Sequence, residues 1–263
     1  MITGERPARP VLPPPGRRGT AVGWRRRVGI LVGAMVLVVL LGGAGLWALA
    51  PSVGDVQQRV SAFAAQHHAT VLIGAVPSKY ATALIATEDS RFYSHHGVDG
   101  LGVARAAWGF VGEKDRGGST LDQQLAKELY SNGQHSPADV ITQVVLGVKL
   151  DASYSKAQIL GMYAQVAYFG HGFYGLPDAS CGHFNTPPQD LSCSQASLLA
   201  GLPQAPSDYD PFQAPNLAAQ RQHHVLDRLV VVGALSQAQA DRITPSTWAL
   251  ATGSGPAAPG CGG

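Results

Sequence analysis

Two acidic residues stand side by side in the run Ala86-Thr87-Glu88-Asp89-Ser90-Arg91-Phe92-Tyr93-Ser94-His95-His96-Gly97. A carboxylate placed at a reacting hydroxyl can take its proton. Successive side chains on a helix diverge by about 100°, so Glu88 and Asp89 cannot both aim at one reacting atom. One is the working acid and the other a structural partner. The apolar run from Tyr80 to Ala86 predicts a helix that delivers Glu88 at its C-terminal end. Phe92 follows at i+4, where an aromatic face would desolvate the carboxylate and favour its neutral form. Taken alone, the pair also fits a solvated end of a surface helix.

A second constellation reads Gly117-Gly118-Ser119-Thr120-Leu121-Asp122-Gln123-Gln124-Leu125-Ala126-Lys127. Two glycines before Ser-Thr mark a helix entry. Thr120 with Gln123 fits a capping box, and Ser119 with Asp122 offers a second one. Unbonded N–H groups and the helix dipole would make this entrance an anion site. Thr120, Gln124 and Lys127 fall at i, i+4 and i+7, so one face presents an amide and a cation to a diphosphate. An ordinary amphipathic helix with a well-made cap explains the same residues without a ligand.

The first run, Glu-Asp-x-x-Phe-x-x-His-x-Gly, resembles the first motif of the peptidoglycan glycosyltransferases, which polymerise lipid II into glycan strands. Gly-Gly-Ser-Thr-x-x-Gln-Gln-Leu-x-Lys resembles their second motif, at the expected distance. The likeness continues through Leu150 to Phe184, including Tyr154-Ser155-Lys156 and Tyr168-Phe169-Gly170. It extends through Leu198 to Phe212 and to Arg221 with Val225-Leu226-Asp227-Arg228, covering residues 75 to 232 in all. One stretch departs. The family's Arg-Lys-x-x-Glu motif would begin 15 residues before Tyr154, where this chain has Asp139-Val140-Ile141-Thr142-Gln143. An amide replaces the second glutamate, and Asp139 lies one turn earlier on the same face. Further on, Gly161-Met162-Tyr163-Ala164-Gln165 replaces Glu-x-Tyr-x-Asn.

The resemblance implies an all-α, lysozyme-like bilobed domain. It implies inverting glycosyl transfer in which Glu88 deprotonates the acceptor 4-hydroxyl. Asp89, Phe92, His95 and Gly97 would support that acid. Gly117, Gly118, Ser119, Thr120, Gln123, Gln124 and Lys127 would hold the leaving diphosphate, with Gln143 and Asp139 at a degenerate second-acid position. No organic cofactor and no metal-ligand set is implied, though a divalent cation such as Mg2+ has room on the diphosphate. The partners implied are lipid II, the nascent strand, the membrane and other cell-wall synthesis proteins. Loss of the third motif leaves a second reading open, a catalytically impaired module that binds lipid II or acts as a scaffold. A lysozyme-like hydrolase of finished glycan would have no diphosphate to bind. Ser153-x-x-Lys156 matches a transpeptidase pattern, but no Lys-Thr-Gly follows it.

These residues need a scaffold and a location. Hydrophobic residues make up 45% of the 263 and charged residues 14%. From Val28 to Ala50 the chain carries no charge. At about 1.5 Å per residue this run spans roughly 35 Å, enough to cross a hydrocarbon core of about 30 Å. Seven arginines and one acid precede it, which predicts a cytoplasmic N-terminus and an extracytoplasmic domain at the bacterial inner membrane. Ala48-Leu49-Ala50 also fits a cleavage site, so a signal peptide is the competing reading. Beyond residue 27 there remain 12 basic and 16 acidic residues, a balance of −4, which argues against nucleic acid as a partner. The expected organisation is a disordered tail (1–27), a transmembrane helix (28–50), a stalk (51–74), the glycosyltransferase-like domain (75–235) and a C-terminal segment ending in a flexible tail (236–263). Of Cys181, Cys193 and Cys261, the first two are candidates for a disulfide, and Cys261 is expected in the tail.

Overall fold

The computed structural model describes residues 20–101, 119–131, 136–251 and 261. The chain divides into two units, Met1–Leu49 and Ala50–Gly263. The described part of the first is a single helix, α1 (Thr20–Leu49). It begins eight residues before the uncharged window and so takes in part of the expected tail; the rest of that tail, residues 1–19, lies outside the described residues. Within Arg26–Leu49 the most apolar 18-residue stretch has a mean hydropathy of 2.5, and this length and composition suffice to cross a membrane. Its apolar side chains, among them Leu31, Val38 and Leu41, are exposed. A helix that is apolar all round and uncovered by protein needs another apolar phase around it.

The second unit is all-α. Its helices are α2 (Val56–Gln66), α3 (Ser78–Glu88), α4 (Leu121–Tyr130), α5 (Pro137–Ser153), α6 (Lys156–Val166), α7 (Leu176–Phe184), α8 (Cys193–Gly201), α9 (Pro215–Val231) and the short α10 (Gln237–Ala240). Among the described residues the one β feature is an isolated bridge between Tyr168 and Tyr174. The helix starts follow a common local rule. The predicted box of Thr120 with Gln123 opens α4, and the same Ser-x-x-Gln or Ser-x-x-Asp logic opens α5, α6, α8 and α10. Each box satisfies two backbone N–H groups that the helix itself leaves unbonded.

Two groups of helices build the core. α3, α8 and α9 pack together, and α4 lies against both α5 and α6, with α2 beside α6. α8 is buried on nearly every side, and Ala196, Ser197, Ala200 and Gly201 keep it slim enough to sit there. Leu84, Phe92, Leu121, Leu125, Leu146, Leu150, Ile159 and Leu199 are fully buried. Removing such side chains from water is the main driving term of the fold.

Two expectations change here. The segment expected as a stalk is part of the domain. Val53, Val56 and Ala64 are core residues, and the Gln165 side chain bonds to the backbone of Leu72 at 2.6 Å and Thr70 at 2.9 Å. Lys149 Nζ donates to the carbonyls of Ala50 and Pro51 at 2.8 and 3.1 Å. The apolar side chains of this segment find cover by folding back. The C-terminal segment is held as far as residue 251, and the expected tail from 252 to 260 lies outside the described residues. Trp248 is buried and donates to Gln222 Oε1 at 2.6 Å, and the Ala251 amide donates to the His183 carbonyl at 2.7 Å. Finally, Cys181 pairs with Cys261, with Cα atoms 5.3 Å apart, while Cys193 is free and exposed. The bond from Ala251 to His183 already returns the chain to α7, which brings the last cysteine to Cys181.

Candidate active site

α3 ends at Glu88, as the apolar run predicted. Its carboxylate is held from two directions. Arg221 on α9 donates from Nη2 to Oε1 at 2.7 Å, and Gln124 on α4 donates from Nε2 to Oε2 at 3.2 Å. The side chains of Arg221 and Glu88 are 8% and 14% exposed. A hydrogen bond between two charged groups in such shelter is strong and directional. Arg221 is fixed in turn by Nε donating to the Gly201 carbonyl at 3.0 Å. The Gly201 position would bring a β-carbon to 3.0 Å from Arg221 Cγ, so the small residue there makes room for the guanidinium stem. Gln124 is fixed by Tyr163 on α6, whose hydroxyl donates to Oε1 at 2.9 Å. Tyr163 is buried, and burial first, then the charges of Glu88, Tyr80 and Glu128, push its phenol well above the ordinary range. Tyr163 thus stays protonated and serves as a donor.

Asp89 is the structural partner of the pair. It accepts from His95 Nε2 at 2.9 and 3.0 Å and from the Leu121 amide at 3.0 Å. That amide is the first of α4, so Asp89 places a negative charge on the positive end of the helix dipole. The neighbouring Thr120 hydroxyl donates to the Gly97 carbonyl at 2.8 Å and accepts from the Gln123 amide at 3.2 Å. Gly97 is needed twice over. Its φ is +77°, and a β-carbon there would overlap the Gly147 carbonyl of α5. The first motif therefore serves mainly to fasten the end of α3 to the start of α4.

Part of the expected anion cradle is occupied by protein groups: the Leu121 amide donates to Asp89 and the Gln123 amide to Thr120. Thr120 and Gln123 are buried and serve the cap. Ser119 is exposed beside them. Gly117 and Gly118 lie outside the described residues. Among the described residues, Gln124, Lys127 and Glu128 form a partly exposed stripe on α4 that continues to Ser131 just past its end. Gln124 touches Glu88 at one end. At the other, Ser131 Oγ accepts from Gln143 Nε2 at 3.3 Å. Seven residues of helix separate the two ends, about 10 Å. Lys127 and Glu128 stand between them, their side chains 29% and 32% exposed and 3.6 Å apart.

Phe92 is fully buried and packs under Lys156, whose Nζ lies 4.6 Å from its ring centre. Asp139 is the third residue of the α5 capping box, accepting from the amide and hydroxyl of Ser136 at 2.9 and 2.6 Å, so it is already employed at a helix start. Gln143 is buried at the far end of the stripe. Asp89, His95 and Asp122 bring possible metal-ligand atoms within 4.8 Å of one another. Lys156 Nζ, at 3.2 Å from Asp122 and 2.6 Å from Asp151, already supplies the cation there, and the group is read as structural. Burial raises the Asp122 carboxyl above its usual range, opposed by Lys156.

Known proteins resemble this chain over the same region. The family described as Transglycosylase matches residues 55–230. Penicillin-binding protein 1F of Bacillus subtilis is 36% identical over 183 residues, covering 69% of this chain and 26% of that protein. Penicillin-binding protein 1A of Neisseria gonorrhoeae is 40% identical over 172 residues, covering 65% and 22%. The chain thus spans about a quarter of the length of these relatives. A Cupriavidus necator protein named for a transglycosylase is 32% identical over 211 residues, covering 79% of this chain and 91% of its own length. With the matched region enclosing Glu88, Gln124 and Arg221 alike, the chain belongs to the transglycosylase family.

Proposed function

We propose that this protein is a membrane-anchored peptidoglycan glycosyltransferase that polymerises lipid II, with Glu88 as general base. The observation that carries the reading is the clamped carboxylate: Glu88 is held by Arg221 at 2.7 Å and by Gln124 at 3.2 Å, one helical turn from Lys127. In the reaction the acceptor 4-hydroxyl gives its proton to Glu88. The freed oxygen pair attacks the anomeric carbon of the donor from the face opposite its diphosphate. The bond from that carbon to the diphosphate oxygen breaks, and the electron pair leaves with the lipid-linked diphosphate, inverting the centre. Lys127 supplies positive charge where the leaving group gathers negative charge. Arg221 and Gln124 hold the base in one geometry, which spares reorganisation during the reaction. An anchor such as α1 would keep the domain beside a lipid-borne substrate. The full-length protein in detergent should convert lipid II to polymer, and Glu88→Gln should lower the rate by about 100-fold or more. Equal rates for the two proteins would remove Glu88 from the mechanism.

A second reading, a lipid II-binding module without turnover, is favoured by the amide at position 143 and the engagement of Asp139 by Ser136. It predicts lipid II binding by the native chain without polymer, and the appearance of polymer in Gln143→Glu.

A further inference from the structure

Breaking a bond at an anomeric carbon builds positive charge on the sugar ring, and most glycoside hydrolases set a second carboxyl near the proton-handling one. Three of the carboxylates around α4 are already bound by the protein. Asp89 is held by His95 and the Leu121 amide. Asp122 is buried against Lys156. Asp139 is held by Ser136. Glu128 differs from these. It follows Gln124 by four residues on α4, so its β-carbon stands roughly 6 Å from that of Gln124 on the same face. Gln124 is the residue whose amide touches Glu88. The side chain of Glu128 is 32% exposed, and its carboxylate lies 3.6 Å from the Lys127 ammonium. Its charge is felt inward as well: Tyr163, bonded to Gln124, experiences both Glu88 and Glu128.

We infer that Glu128 is the second substrate-facing carboxylate of this cleft, placed to oppose the positive charge that develops on the donor sugar while Lys127 beside it meets the diphosphate. The inference rests on the glycosyl-transfer reading above. Glu128 forms no bond to substrate and stays ionised throughout. The hydroxyl proton goes to Glu88, and the departing electron pair goes to the diphosphate. The charged ends of Lys127 and Glu128 lie 3.6 Å apart, close enough for one donor to meet both.

The test uses full-length native protein, Glu128→Gln, Glu128→Asp and Glu88→Gln in detergent, with lipid II polymerisation and thermal unfolding measured on each. Glu128→Gln is expected to lower kcat by about 100-fold with KM within about threefold of native. Its unfolding temperature should not change, and Glu128→Asp should recover part of the rate. An active native chain, an inactive Glu88→Gln and a Glu128→Gln variant within about twofold of native would overturn the role of Glu128 alone. So would a Glu128→Gln loss confined to KM, or one matched by a fall in unfolding temperature. A native chain that makes no polymer would overturn the transfer reading, and the role of Glu128 with it.

Discussion

Arg221→Met tests what the guanidinium does for Glu88. The substitution keeps most of the buried stem and removes the charge. It deletes the 2.7 Å bond to Glu88 and the 3.0 Å bond to the Gly201 carbonyl. Breaking one partner of a buried ion pair costs about 3–5 kcal/mol, because the other charge is left without compensation. Glu88 is 14% exposed and keeps Gln124, so the lower end applies, about 3 kcal/mol. For a unit of this size, 1 kcal/mol moves the unfolding midpoint by about 2–4 °C, giving a fall of roughly 6–12 °C. The assay is thermal unfolding of Arg221→Met, Glu88→Gln and the double variant beside the native chain. Removing the charge from Glu88 as well should restore much of the loss, with a coupling of about 1–3 kcal/mol. Polymerisation should fall with Arg221→Met even at temperatures where the protein is folded, because the base loses its fixed orientation. A midpoint within about 2 °C of native, or strictly additive losses in the double variant, would refute the claim that the pair is a buried clamp.

Gly97→Ala should destabilise the domain by at least about 3 kcal/mol in urea unfolding, since the new carbon meets the Gly147 carbonyl at a φ of +77°. Burial lowers the His183 pKa from 6.5 to about 4. Between these values the unfolded chain binds a proton that the folded chain refuses. The stability contribution of neutral His183 is therefore complete above pH 6.5 and is lost as pH falls through about 4, by roughly 3 kcal/mol in total. His183→Gln should flatten that part of a stability-against-pH curve. Cys181→Ser should lower stability by up to about 4 kcal/mol, as expected for opening a loop with a separation of 80 residues, and Cys193→Ser should leave it unchanged.

Local chemistry was legible in the sequence, and distant chemistry was not. The end of α3 at Glu88 and the box of Thr120 with Gln123 depend on residues within one or two turns, where periodicity and capping rules operate. Helix geometry said that Glu88 and Asp89 would not share one reacting atom, and the family resemblance named Glu88 as the acid. Sequence placed Gln124 on one face with Lys127, and the structure adds its bond to Glu88. The role of Arg221 could not be read in this way, because it lies 133 residues from Glu88 and only the packing of α9 on α3 brings them together. The bond from the Leu121 amide to Asp89 was hidden for the same reason, because that carboxylate comes from 32 residues earlier. Val53 and Val56 carried too short an apolar pattern to reveal that residues 51–74 fold into the domain. The cysteine pairing was open on sequence, since connectivity has no local signature.

The bridge from Cys181 to Cys261 closes a covalent ring that contains α8, α9 and Arg221. A protease that cuts once within that ring opens it without releasing a fragment, so the clamp on Glu88 is insured against a single nick in nearly a third of the chain. After one such cut ahead of Arg221, reduction of the bridge would leave the piece bearing Arg221 without a covalent tie to the rest.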